Sequence, residues 1–286
     1  MKDPQNILWV LIFSVILVII LINYKESGVK MKYIDSHAHY LSRRFMSDRN
    51  EVLKKLFNSD LEYIIECGTN TNSNKRVLDL CHKWDKIYGV IGYFPTDVWE
   101  LKNIATWETL KEQLKDPKIL AIGEIGLDYY HDEKGKEFQK EMFKKQLELA
   151  KELDLPVCIH SRDAEDDTLA ILREFGPYKG VIHCFAYGKE AMRELVELGY
   201  YFGVGGTSTY PRNEQLRAAV RRMPLDRIVL ETDCPYLAPQ AVRGKRNDSS
   251  YIKFVIEEIA SLKGVSIEDV VKQTNQNVKT VYQKLI

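Results

Sequence analysis

Several familiar devices are missing from this 286-residue sequence. It has no excess of either charge, with 41 lysines and arginines against 41 aspartates and glutamates, so it lacks the broad positive field of a dedicated duplex-binding domain. Any contact with nucleic acid must therefore be local. The five cysteines, Cys67, Cys81, Cys158, Cys184 and Cys234, are odd in number and form no C-x-x-C pair, which argues against a disulfide framework and against a structural zinc knuckle. They are expected to be reduced and buried. There is no G-x-G-x-x-G or Walker A loop, so a dinucleotide or P-loop reading has no support. Ser161 has no G-x-S-x-G elbow around it and is discounted as a nucleophile.

Long apolar runs are also scarce, with one exception. Ile7 to Ile22 is apolar at every position but Ser14, and as a helix it would span about 24 Å against a hydrocarbon core of about 30 Å. Snorkelling flanks or a thinned bilayer would close the gap, and no small-x-small cleavage site follows. Residues 1–30 are thus expected to form a single-span membrane anchor and short linker. Lys25, Lys30, Lys32, Arg43 and Arg44 outnumber Lys2 and place the remainder on the cytoplasmic face. The alternative is a soluble cytoplasmic protein that starts at Met31. Either way, residues 31–286 suit one large α/β domain.

From Tyr33 onward, short apolar runs alternate with amphipathic stretches, which predicts repeated strand-helix units around a parallel sheet. The predicted strands are Tyr33–His37, Glu62–Cys67, Ile87–Tyr93, Ile119–Gly123, Pro156–His160, Gly180–His183, Tyr200–Val204 and Arg227–Leu230. Helices are predicted near 48–58, 72–84, 105–115, 135–153, 164–175, 188–198, 212–222, 249–263 and 266–284. Eight strands, each followed by a helix, describe a (β/α)8 TIM barrel better than an open sheet. Pro235 to Ser250 is the longest expected loop.

Barrel enzymes build their sites at the C-terminal ends of the strands, and polar residues collect there. His37 and His39 close strand one, Glu124 and Asp128 follow strand four, His160 and His183 end strands five and six, and Glu231, Thr232 and Asp233 follow strand eight. A repeat of two puts His37 and His39 on one face. Four imidazoles with the carboxylates Glu124 and Asp233 exceed what one metal needs and suit two divalent cations. His82 lies in a helical stretch and reads as surface; His131, after strand four, is a candidate substrate contact. Cys158, Cys184 and Cys234 could be soft ligands in principle, but alternation turns Cys184 and Cys234 away from their neighbours His183 and Asp233 and favours packing for them.

The stretches IDSHAH at 34–39, IGEIGLDYY at 122–130, PVCIHSRDAEDD at 156–167, GVIHCF at 180–185, ETDCPYLAP at 231–239 and RGKRN at 243–247 together resemble the TatD family of metal-dependent hydrolases, from about residue 33 to 286. The resemblance implies a deoxyribonuclease that cleaves phosphodiester bonds with two divalent cations, zinc, magnesium or manganese, acting 3'-5' on single-stranded ends. Carried over by position, His37, His39 and Asp233 hold the first metal, Glu124 bridges, and His160 and His183 hold the second. Asp233 is also the base that takes a proton from the attacking water, and Glu124 shares in catalysis. Arg162, Arg243, Lys245 and Arg246 lie just past proposed ligands and are expected to face the phosphate backbone. One departure stands out: the family's G-x-H-P-H stretch reads Gly92-Tyr93-Phe94-Pro95-Thr96 here, so Phe94 and Thr96 replace two imidazoles and alter substrate preference or rate. Phe94 could instead offer a stacking surface for a base. Two other readings compete. One is a hydrolase of an amide, lactone or aminoacyl ester; the other is a catalytically idle, membrane-tethered binding protein.

Overall fold

The computed structural model describes residues 31–285. The expected membrane anchor, residues 7–22, lies outside the described residues; among those described, no helix is long and apolar enough to cross a membrane. From Lys32 onward the chain forms one compact unit.

Eight parallel strands follow one another in sequence order around a single sheet: β1 (Tyr33–Ala38), β2 (Leu61–Cys67), β3 (Ile87–Ile91), β4 (Ile119–Asp128), β5 (Val157–Arg162), β6 (Gly180–Ile182), β7 (Tyr201–Val204) and β8 (Ile228–Leu230). Each neighbouring pair is parallel, from Tyr33 opposite Leu61 through Val204 opposite Leu230. The helices between them are α1 (Arg49–Phe57), α2 (Thr71–Lys83), α3 (Ile104–Gln113), α4 (Lys136–Glu152), α5 (Glu165–Phe175), α6 (Lys189–Glu197) and α7 (Glu214–Arg222), with α8 (Ile252–Lys263) and α9 (Ile267–Val281) after β8. This is the expected (β/α)8 order. The strands read as continuous apolar runs because both faces are covered, by the helices outside and by a packed interior within. Ile34, Ile65, Val90, Ala121, Val181 and Val229 fill one core cluster, and Tyr282, just past α9, is fully buried in it.

The barrel closes at a polar seam between β1 and the segment after β8. Ala38 bridges Cys234, the Asp233 N–H donates to the His37 carbonyl at 3.0 Å, and the His39 N–H donates to the Cys234 carbonyl at 2.8 Å. Beneath them the buried Asp35 carboxylate accepts from the Thr232 N–H (3.1 Å), the Thr232 hydroxyl (2.7 Å) and the Ser249 hydroxyl (2.6 Å). Asn247 holds the loop above by donating to the carbonyls of Thr232 and Tyr236. The final residue of the RGKRN stretch is therefore a loop clamp.

Two expected boundaries move in ways that matter for the site. β4 continues five residues past its expected end, with a register shift between Ile122 and Ile125, so Glu124 and Asp128 both lie within the strand. Gly126 makes this possible: its φ is 133°, and a Cβ there would strike the His160 carbonyl oxygen. β6, by contrast, stops at Ile182, and the residues after it leave the strand.

Candidate metal centre

The six residues singled out from the sequence come together at the C-terminal mouth of the barrel, around Glu124. The two oxygens of this carboxylate face different pairs of imidazoles. Oε2 lies 3.5 Å from His37 Nε2 and 3.6 Å from His39 Nε2. Oε1 lies 3.0 Å from His160 Nδ1 and 3.8 Å from His183 Nε2. Asp233 Oδ1 closes the first group at 3.3 Å from His39 Nε2 and 3.8 Å from His37 Nε2. The Nε2 atoms of His37 and His39 face each other at 3.1 Å, and the His37 ring stacks on His183 with centroids 3.5 Å apart.

Burial and charge set the protonation of these groups in opposite directions. Burial alone would raise the Glu124 pKa, but hydrogen bonds from His160 and His37 outweigh it and hold the carboxyl well below its usual range. Asp233 behaves the same way, its burial outweighed by His39 and the nearby imidazoles. Burial would lower the His160 pKa, yet Asp128 and Glu124 raise it to about 9. Both carboxylates are thus ionised, and two imidazole nitrogens 3.1 Å apart require a proton or a cation between them. The nitrogen and carboxylate oxygen donors, arranged as His37-His39-Glu124 and Glu124-His160-His183, fit divalent cations of the borderline type better than hard magnesium.

Metal-binding histidines are oriented by what their second ring nitrogen meets. His39 Nδ1 faces the Cys67 carbonyl at 3.2 Å, His160 Nε2 faces Asp128 Oδ2 at 3.2 Å, and His183 Nδ1 faces Glu231 Oε1 at 3.2 Å. Asp128 and Glu231 were visible at strand ends in the sequence but stood outside the proposed set. The usable signal was spacing: Glu124 and Asp128 are four apart, hence on one face of an extended strand, and Glu231 and Asp233 are two apart. A glycine at 203 is needed beside Glu231, because a Cβ there would strike its carboxylate. Asp128 also receives His131, whose Nδ1 lies 2.7 Å from Oδ2, so His131 joins the rim of the site through the same carboxylate.

Other expectations change. Cys184 does not turn away into packing. β6 has ended by then, Cys184 has a φ of 46°, and period-two alternation no longer applies; its sulfur shares a cluster with His183 and Glu231. Cys234 is fully buried. Arg246 is not free to meet a phosphate: its guanidinium grips Asp48 at 2.8 and 2.6 Å and donates to the Arg44 carbonyl. Lys245 is exposed at the rim. Arg243 lies over the Tyr210 ring at 4.6 Å and, with Arg212, Asn213 and Gln240, lines a surface cleft of about 530 Å³. Arg162 lies 3.8 Å above the exposed Tyr130 ring and makes no ion pair among the described residues. The Phe94 ring sits 4.6 Å from His160, so it packs against the centre. His82 is exposed and meets Asp116 at 2.7 Å, as expected of a surface residue.

A closed (β/α)8 barrel with histidines and carboxylates gathered at the strand ends defines the class of metal-dependent barrel hydrolases. Residues 34–283 match the family model described as TatD related DNase, and the chain belongs to that family. It is 37% identical over 252 residues to an uncharacterised metal-dependent hydrolase of Bacillus subtilis, YabD, covering 87% of this chain and 98% of the relative. It is 30% identical to the 3'-5' ssDNA/RNA exonuclease TatD of Shigella flexneri, with 87% and 98% covered. The crystal structure of YJJV, a TatD homologue from Escherichia coli, superposes with a TM-score of 0.82 at 29% identity, covering 89% of this chain and 99% of that one.

Proposed function

We propose that this hydrolase cleaves phosphodiester bonds in DNA, taking single strands from their 3' ends, with two divalent cations held by His37, His39, Glu124, His160, His183 and Asp233. The observation that carries the reading is the division of Glu124, one oxygen toward each pair of imidazoles. The bound cations would supply Lewis acidity to the attacking water and to the phosphoryl oxygens. The chain's own residues do the rest. Asp233, ionised and partly buried at the mouth, accepts the proton of the attacking water. Asp128 orients the His160 ring by a hydrogen bond, and Glu231 sets its charge 3.2 Å from His183 Nδ1. Arg162 and Arg243, both exposed and without an acidic partner among the described residues, take the flanking phosphates, while Tyr130 beside Arg162 offers a stacking face for a base. Lys245 and His131 add donors at the rim. Because the chain has no net positive charge, affinity rests on these few groups and on the cations.

Asp233→Asn tests the assignment on labelled single- and double-stranded oligonucleotides, with a small ester assayed alongside. Loss of metal-dependent cleavage with the fold intact is expected. Full nuclease activity in the variant, or turnover of the ester in place of DNA, would overturn it. Residues 7–22 would tether the enzyme to the cytoplasmic face of a membrane; recovery of the full-length chain in the soluble fraction would refute the tether.

A further inference from the structure

Three of the four imidazoles at the centre present their second nitrogen to an oxygen, and His37 does not. Its Nδ1 lies 3.3 Å from Cys67 Sγ and 3.5 Å from Cys158 Sγ. Cys67 ends β2 and Cys158 lies in β5, strands that do not pair, so the two thiols meet only across the barrel interior. Both are free and buried, and the three donor atoms lie within 4.8 Å of one another. Zinc-like bonds, about 2.3 Å to sulfur and about 2.0 Å to nitrogen, set neighbouring nitrogen and sulfur donors about 3.5 Å apart, and the three donors here suit a three-coordinate soft cation. The two distances around His37 Nδ1 match that spacing. Most of the wall is apolar, with Val90, Ala121 and Val181 in the same cluster, and the buried Tyr282 hydroxyl is the polar neighbour of Cys158.

We propose that His37 is a two-sided ligand, with a buried site for a thiophilic cation, such as Cu(I) or Cd(II), formed by its Nδ1 and the thiols of Cys67 and Cys158. Soft thiolate sulfur selects such cations over the hard ones that carboxylates accept. On binding to the metal-stripped chain, whose His37 carries its proton on Nε2, two S–H bonds break, two metal–sulfur bonds form, and both protons leave to solvent; where a cation already occupies Nε2, the Nδ1 proton leaves as well and His37 becomes a bridging imidazolate. The site stands on geometry alone and does not depend on DNA being the substrate. A soft cation there would hold the imbedded face of a ring whose other nitrogen belongs to the hydrolytic centre.

The test is a titration of the metal-stripped chain with Cd2+, followed by the ultraviolet sulfur-to-cadmium charge-transfer band. Nitrogen and oxygen donors cannot produce this band. We expect it to saturate with one sulfur-bound cadmium per chain, and X-ray absorption to count two sulfurs around that cadmium. The double variant C67A/C158A should lose the band. C184A, which removes the thiol beside His183 and Glu231, should keep it. Circular dichroism checks the fold, and if the double variant fails to fold, C67A and C158A singly should each leave one sulfur per cadmium. Absence of the band in the natural chain, its persistence without Cys67 and Cys158, or its loss in C184A would overturn the proposal.

Discussion

Replacing Glu124 by Gln perturbs the one residue on which both halves of the centre depend. The amide keeps the shape and one carbonyl oxygen, but turns the other position into an NH2 donor and removes the charge. Since Oε2 serves His37 and His39 at 3.5 and 3.6 Å while Oε1 serves His160 and His183 at 3.0 and 3.8 Å, one half keeps its oxygen and the other loses it. Removing one partner of a buried charged pair costs about 3 to 5 kcal/mol, which is a loss of affinity of about 10²- to 10⁴-fold. The expected result is therefore one cation retained and one weakened by that factor, rather than both weakened equally. Calorimetric titration of the metal-stripped protein with Zn2+ or Mn2+, with metal content measured after dialysis, reads this directly. The metal-free protein gives a second readout by NMR: His160, held at about 9 by Asp128 and Glu124 against its burial, should titrate lower once only Asp128 remains charged. Two cations bound with unchanged affinity and an unmoved His160 would refute the bridging role.

Four further outcomes separate structural from functional residues. Arg246→Ala should lower stability by about 1 kcal/mol, seen as a fall in Tm, and leave KM for an oligonucleotide unchanged, because Asp48 already engages the guanidinium. Arg162→Ala should do the reverse, raising KM about tenfold and flattening the salt dependence of binding by about one unit of slope. Phe94→Ala should weaken metal binding about tenfold by loosening His160; an effect confined to KM would show that the ring instead stacks on substrate. Glu66, buried and accepting from the N–H groups of Tyr40 and Leu41, has its pKa pushed up by burial to about 7. The folded chain then binds this proton more tightly than the unfolded one. The stabilisation is present below about pH 4.5 and is lost as pH rises through about 7, to the extent of about 3 kcal/mol. Urea midpoints of the metal-free protein should fall over that window, and Glu66→Gln should flatten the fall.

The barrel was legible because its signals are periodic and local: eight apolar runs, each followed by an amphipathic stretch, leave few other topologies. The six polar residues at strand ends could be placed for the same reason. What could not be read was where alternation stops. Cys184 was assigned by period two, but β6 ends at Ile182 and a left-handed residue turns the chain. The pairing of Arg246 with Asp48 joins residues 198 apart in sequence, and charge alone cannot say which partner a guanidinium finds. The meeting of Cys67 and Cys158 beneath His37 is likewise a product of barrel closure. No spacing in the sequence announces a contact between strands two and five.

The seam through Asp35 has a consequence for how the enzyme comes into being. His37 and His39 stand near the start of the described residues and Asp233 near residue 230, and the seam brings them into register through the Ala38–Cys234 bridge, the backbone bonds of Asp233 and His39, and the hydrogen bonds of Thr232 and Ser249 to Asp35. A nascent chain released before β8 would carry five of the six proposed ligands and no finished centre. Catalytic competence is thus tied to completion of synthesis, and truncated products would be inert toward substrate rather than weakly active.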